Sequence, residues 1–288
     1  MSQLKLFIGL TRLRKPIGYM LLFWPCAWGL TLAYDFTSKL NNYFFYLILF
    51  FLGAVLMRSA GCIVNDILDR EFDSKVIRTK DRPIASGKVS VRLGIIYSAI
   101  LCFSAFLVLI NFNLFTIILA LGSMPLAFTY PLMKRYTYWP QLFLGITFNY
   151  GLILGWTAIK GEIDIIPIIF YFGAIFWTLG YDTIYGYQDI KDDEIIGLKS
   201  TSIKFKNNPK KFLFISYSLL FILFLVGGIF MEFSYFYYLL LIFPLIHLFF
   251  FQMRIFNFKD PSSCLKAFKS NNVFGLIMLL NILIVKNL

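Results

Sequence analysis

Charge is scarce in this chain of 288 residues: only 15% are Asp, Glu, Lys or Arg, against about a quarter in ordinary soluble domains. Histidine is nearly absent, with His247 alone, and the four cysteines (Cys26, Cys62, Cys102, Cys264) are scattered without a CxxC pair. That set gives no zinc, haem or iron–sulfur pattern and no disulfide framework, so the thiols are read as buried and reduced. No GxxxxGK[ST] loop is present, which removes an ATP-driven role. The N-terminal stretch has neither a cleavable apolar core with a small-residue site nor a long Arg- and Ser-rich leader. Insertion through the first span is therefore expected.

Apolar residues fill the space that charge leaves. With 59% hydrophobic residues, several runs reach the eighteen or so needed to cross a hydrocarbon core of about 30 Å. Nine spans are read, at 17–34, 43–66, 91–110, 113–131, 139–158, 164–182, 211–231, 233–251 and 271–286. Soluble and disordered chains are excluded. The expectation is an all-α membrane protein: one domain over 1–288, folded as a nine-helix transmembrane bundle in a lipid bilayer.

The formal net charge of +12 is a matter of topology. On the side holding the N-terminus, 23 Lys and Arg gather; the other side holds Lys39, Lys160 and Lys286, and Arg58 stands inside a span. Positive loops face the cytoplasm, which puts the N-terminus and both acidic loops there and leaves no case for nucleic acid. The abundance of Ile, Phe, Lys and Asn suggests an AT-rich bacterial genome. A bacterial inner membrane is therefore expected, with the mitochondrial inner membrane as the alternative.

Ten of the 15 carboxylates fall in two short stretches, five in 66–81 and five in 182–194, after the second and sixth spans. Continued as a helix, the first puts Asn65, Asp69 and Asp73 on one face; the second puts Asp182, Asp189 and Asp193 on another. Stacked oxygen donors suit a hard divalent ion such as Mg²⁺, which binds few carboxylates and recruits substrate phosphates. Arg78, Lys80, Arg82, Lys199 and Lys204 are near enough in sequence to meet phosphate oxygens; positive-inside topology is the alternative, and for Lys204 to Lys211 the preferred reading. Arg58 precedes Asn65 by two turns and, in an apolar span, calls for a partner or an anionic substrate end. A solvated, salt-bridged helix end remains the bland alternative for the first cluster.

These residues resemble the UbiA superfamily of intramembrane prenyltransferases, in the NDxxDxxxD at 65–73 and the DxxxD at 189–193. Three further stretches resemble the 4-hydroxybenzoate polyprenyltransferases of ubiquinone synthesis: Arg14-Lys15-Pro16-Ile17-Gly18 with Trp24-Pro25, Lys134 to Gln141, and Asp182 to Tyr185 leading to Gly197-Leu198-Lys199-Ser200-Thr201. The resemblance implies a Mg²⁺-dependent transfer from a polyprenyl diphosphate to the ring carbon ortho to the hydroxyl of 4-hydroxybenzoate. It implies Asn65, Asp69 and Asp73 on one metal–diphosphate face and Asp182, Asp189 and Asp193 on the other. Asp69, Asp182, Arg135 and Tyr130 are then the expected catalytic set, and Arg58, Arg70, Lys134, Lys199 and Tyr185 the expected substrate contacts. The two large loops, about 67–90 and 183–210, are expected to cap the site. Another acceptor (dihydroxynaphthoate, homogentisate, haem) or a secondary transporter stays open, since the acidic clusters handle only the donor or an ion.

Overall fold

The computed structural model describes residues 3–37 and 39–288, and among these all regular structure is helical. A short helix, Gln3–Thr11, precedes nine long apolar ones. These are α1 (Ile17–Ala33), α2 (Leu40–Leu68), α3 (Val91–Leu109), α4 (Leu114–Tyr136), α5 (Pro140–Lys160), α6 (Ile165–Gly186), α7 (Pro209–Phe230), α8 (Tyr235–Ile255) and α9 (Pro261–Lys286). Eight are long and apolar enough to cross a bilayer, and α1 at 17 residues is slightly shorter. The nine expected spans are all present.

Three details differ from the expectation. The fourth span is a broken rod: Leu114–Gly122 gives way to Met124–Thr129, then to a 3₁₀ turn at Tyr130–Leu132, with Pro125 and Pro131 removing two backbone donors. The eighth carries a π-helical stretch at His247–Gln252, three residues after Pro244. The ninth starts ten residues early, because Asp260 caps it by accepting from Ser262 N at 2.9 Å. Its first turns carry Lys266 and Lys269, so hydropathy alone hid them.

α1 sits at the centre, packed against α2, α5 and α9, while α6 joins α5, α7 and α9. Lipid offers no hydrophobic contrast between helices, so close approach through small residues matters. A Cβ at Gly29 would collide with the backbone of Leu152, and one at Gly155 with the backbone of Cys26 and Leu30. Behind this contact Trp28, Trp177 and Phe274 stack, with centroids 5.1 Å apart for Trp28–Trp177 and for Trp177–Phe274. Their indole donors are satisfied: Trp28 by Gly275 O at 3.0 Å and Trp177 by Asn271 Oδ1 at 2.8 Å. By contrast α3 and α4 bury few residues fully and share little packing with each other after their tight turn at 111–113. The bundle is thus centred on α1, with α3 and α4 at its periphery.

Candidate active site

Both acidic stretches lie at the same end of the bundle. α2 ends at Leu68 and a short helix, Arg70–Asp73, follows. Asp69 N still donates to Asn65 O at 2.9 Å and Asp73 N to Asp69 O at 2.8 Å, so the four-residue register survives the break. In the second stretch it does not. α6 stops at Gly186, a turn follows, and Asp189 precedes a new helix, Ile190–Ile195. Asp182 therefore does not share a continuous helical face with Asp189 and Asp193, as the spacing had suggested; it stays within the span. Asp193 N donates to Asp189 O at 2.9 Å, so those two keep their relation.

Four carboxylates are held by five cations. Asp66 and Asp69 are 2% and 1% exposed, depths at which an unpaired charge is costly. Arg12 Nη2 lies 2.5 Å from Asp66 Oδ1, and Arg82 Nη1 bridges Asp66 at 3.2 Å and Asp73 at 2.6 Å. Lys134 Nζ reaches Asp69 Oδ2 at 2.5 Å, with Arg135 Nη2 3.6 Å from Oδ1. Arg135 also donates to Leu68 O at 2.7 Å, its guanidinium over the Phe72 ring. Arg78 grips Asp189 with both arms, Nε to Oδ1 at 2.6 Å, and so ties the first loop to the second. Burial, and after it the charge of Asp189, pushes the Asp193 carboxyl up to about 6. Arg12 and Arg82 complete this net, yet in sequence Arg12 is one of many basic-side charges. Its backbone takes φ +54, a strained conformation for a side chain of its size.

Among the described residues, two expected substrate contacts make no ion pair with the buried carboxylates. Arg70 is exposed, its nearest carboxylate being Glu71 at 3.7 Å. Lys199 donates from Nζ to Tyr136 O at 3.2 Å, and from its backbone N to Lys134 O at 2.8 Å. The stretch 197–201 is thereby a strap. Thr201 N donates to Gln141 Oε1 at 3.0 Å, and the Thr183 and Thr201 hydroxyls share a hydrogen bond at 2.6 Å. Tyr185 packs its ring on Phe268 at 4.6 Å, with Arg78 6.0 Å above it.

Toward the membrane interior a cavity of about 220 Å³ opens between α1, α2, α3, α4 and α5. Arg58 and Tyr130 line its end nearest the carboxylates, and nearly all the remaining wall is apolar. Among the described residues no carboxylate lies within 4 Å of Arg58, and its Nε is buried without a partner. Its guanidinium lies 5.5 Å from the Phe148 centroid, and Phe148 meets Tyr130 edge to face. At the far end Phe112 stacks on Tyr46 with centroids 5.6 Å apart and approaches Phe50 at 4.7 Å.

The donor set fits a hard cation: it is all oxygen, and Asp69 Oδ1 is buried without a hydrogen-bond partner. Among the described residues no three His, Cys, Asp or Glu side chains yet converge on one point.

Residues 22–281 match the model of the UbiA prenyltransferase family. The chain belongs to that family. Curated relatives include the mitochondrial 4-hydroxybenzoate polyprenyltransferases of Bos taurus and Homo sapiens. They are 45% and 43% identical, each over 96% of this chain and 74% of the relative. The enzyme of that name from Dictyostelium discoideum is 40% identical over 97% of this chain and 60% of its own length. Among solved structures, a UbiA homologue from Aeropyrum pernix K1 has TM-score 0.76 at 22% identity, covering 93% of this chain and 98% of that one. One from Archaeoglobus fulgidus bound to GPP and Mg²⁺ has TM-score 0.69 at 18% identity, covering 98% and 100%. The fold is the UbiA fold. These findings also correct the expected location: the relatives are mitochondrial enzymes, so a bacterial inner membrane, drawn from composition alone, is not supported. What stands is a multi-pass membrane protein with its basic loops at one end.

Proposed function

We propose that this chain transfers a polyprenyl group from a polyprenyl diphosphate to the carbon ortho to the hydroxyl of 4-hydroxybenzoate, a step of ubiquinone synthesis, within one domain over 1–288. The observation that carries the reading is the half-buried Arg58, its Nε unpartnered and, among the described residues, with no carboxylate within 4 Å, placed between a carboxylate–cation net and an apolar cavity. A diphosphate suits the net, a benzoate suits the arginine, and a hydrocarbon tail suits the cavity. The relatives named for this reaction, and the Archaeoglobus structure with GPP and Mg²⁺, support it.

Asn65, Asp69, Asp73, Asp189 and Asp193 would hold Mg²⁺, with Asp182 as the oxygen donor on the α6 side. Bound there, the ion neutralises charge on the departing diphosphate. Lys134, Arg135, Arg78 and Arg82, now on carboxylates, are placed to turn to phosphate oxygens, where charge-assisted hydrogen bonds are strong. The carbon–oxygen bond breaks with its electron pair leaving on diphosphate. The ring carbon attacks the allylic cation, and its proton is then lost. Arg58 holds the acceptor carboxylate by its planar fork, which orients the ring toward the cation. Phe148, Tyr130 and Tyr185 present aromatic faces that stabilise a cation without quenching it. Lys134 and Arg135 sit on the first acidic stretch, away from the cavity, so their part lies with the diphosphate.

The test is a competition. Membranes holding the chain receive one labelled donor with 4-hydroxybenzoate, dihydroxynaphthoate and homogentisate together. Prenylated 4-hydroxybenzoate is expected to dominate; another dominant product would replace the acceptor, and ion flux with no product would favour a transporter.

A further inference from the structure

Two glycines of α2, Gly53 and Gly61, lie on the wall of the apolar cavity, and at neither would an added Cβ meet any atom within 4 Å. Glycine inside a helix is unfavourable unless something needs the room. At Gly29 and Gly155 a neighbouring backbone needs it; at Gly53 and Gly61 no protein atom does. The room faces the cavity, and a ligand is what uses it.

Distance along the helix says which part of the ligand. At 1.5 Å per residue, Gly53 lies about 24 Å from Asp69 and about 12 Å from Gly61. An extended isoprene unit advances four carbon–carbon bonds of about 1.5 Å, roughly 5 Å in all. A diphosphate held against Asp69 therefore brings about the fourth unit of its tail alongside Gly53. Geranyl and farnesyl tails end before that point, and longer ones pass it on the way to Phe50 and Phe112. Gly61, three residues from Arg58, flanks the reacting end for every donor.

We infer that Gly53 is a specificity-determining residue: its missing side chain admits the fourth and later isoprene units, and so sets which tail lengths this chain accepts. The inference rests on the cavity being the tail site, as proposed above.

The test compares kcat/KM for geranyl, farnesyl and solanesyl diphosphate with 4-hydroxybenzoate, in wild type, Gly53→Ala, Gly53→Leu and Gly61→Leu in bilayers. In Gly53→Leu the solanesyl-to-geranyl ratio is expected to fall about tenfold or more, the scale on which an apolar pocket senses misplaced bulk. Gly53→Ala should give a smaller fall in the same direction. Gly61→Leu should depress all three donors together. An unchanged ratio in folded Gly53→Leu overturns the inference, and so does equal loss of all three donors in that variant. A wild type giving no product with any donor is a different result: it defeats the proposed reaction itself, before any variant is compared.

Discussion

Arg78 and Asp189, 111 residues apart, are joined through both arms of the guanidinium, and the pair ties the loop after α2 to the loop after α6. The two loops the sequence marks as acidic are thus joined into one surface at the same end of the bundle. A cysteine placed at Ser86, in a cysteine-free background, is expected to label freely in the apo protein. With donor and Mg²⁺ present labelling should slow, as the loops close and exclude water. Equal labelling in both conditions would show that they do not close.

Asp69 is the most buried carboxylate of the net and keeps one oxygen without a hydrogen bond. Asp69→Asn removes the charge that Lys134 meets, where the proposed Mg²⁺ would bind, and should lower kcat by about 10²-fold or more, the effect of deleting one preorganised electrostatic group. Fluorescence-detected chromatography checks that the variant still folds. Activity near wild type would move the metal elsewhere.

Arg58 acts on the acceptor in this account. Arg58→Gln should raise KM for 4-hydroxybenzoate about tenfold or more, the worth of a charged hydrogen bond. The donor KM should stay nearly constant. A rise confined to the donor would put Arg58 on the diphosphate.

Arg82 bridges Asp66 and Asp73. Removing it leaves Asp73 unpaired and Asp66 with Arg12 alone, so Arg82→Ala should destabilise the protein by about 2–3 kcal/mol. Adding Asp73→Asn, which neutralises the carboxylate left unpaired, should restore part of the loss. Thermal unfolding in detergent reads both; an unchanged transition in Arg82→Ala would show the bridge to be idle.

Much of this was legible in the sequence. Span positions follow from apolar runs, and the first acidic stretch keeps its helical register through Asp69. What was hidden is hidden for physical reasons. Hydropathy misses the first turns of α9, since Lys266 and Lys269 lie on a helix that outruns the apolar stretch. Periodicity carried Asp182 onto one face with Asp189 because nothing in Gly186 alone announces that the helix ends there. Arg12 looked like one topological charge among many, and only the fold brings it 54 residues back to Asp66. Lys199 and Arg70 show the converse: charge beside a motif need not pair with the motif's buried carboxylates.

The most direct measurement is product formation in bilayers from a labelled polyprenyl diphosphate and 4-hydroxybenzoate, with Mg²⁺, with chelator, and for Asp69→Asn and Asp189→Asn. The account predicts a prenylated acid only with the metal, and loss in both variants, since each acidic stretch holds part of the metal–diphosphate. Undiminished product under chelation, or in either variant, would contradict it.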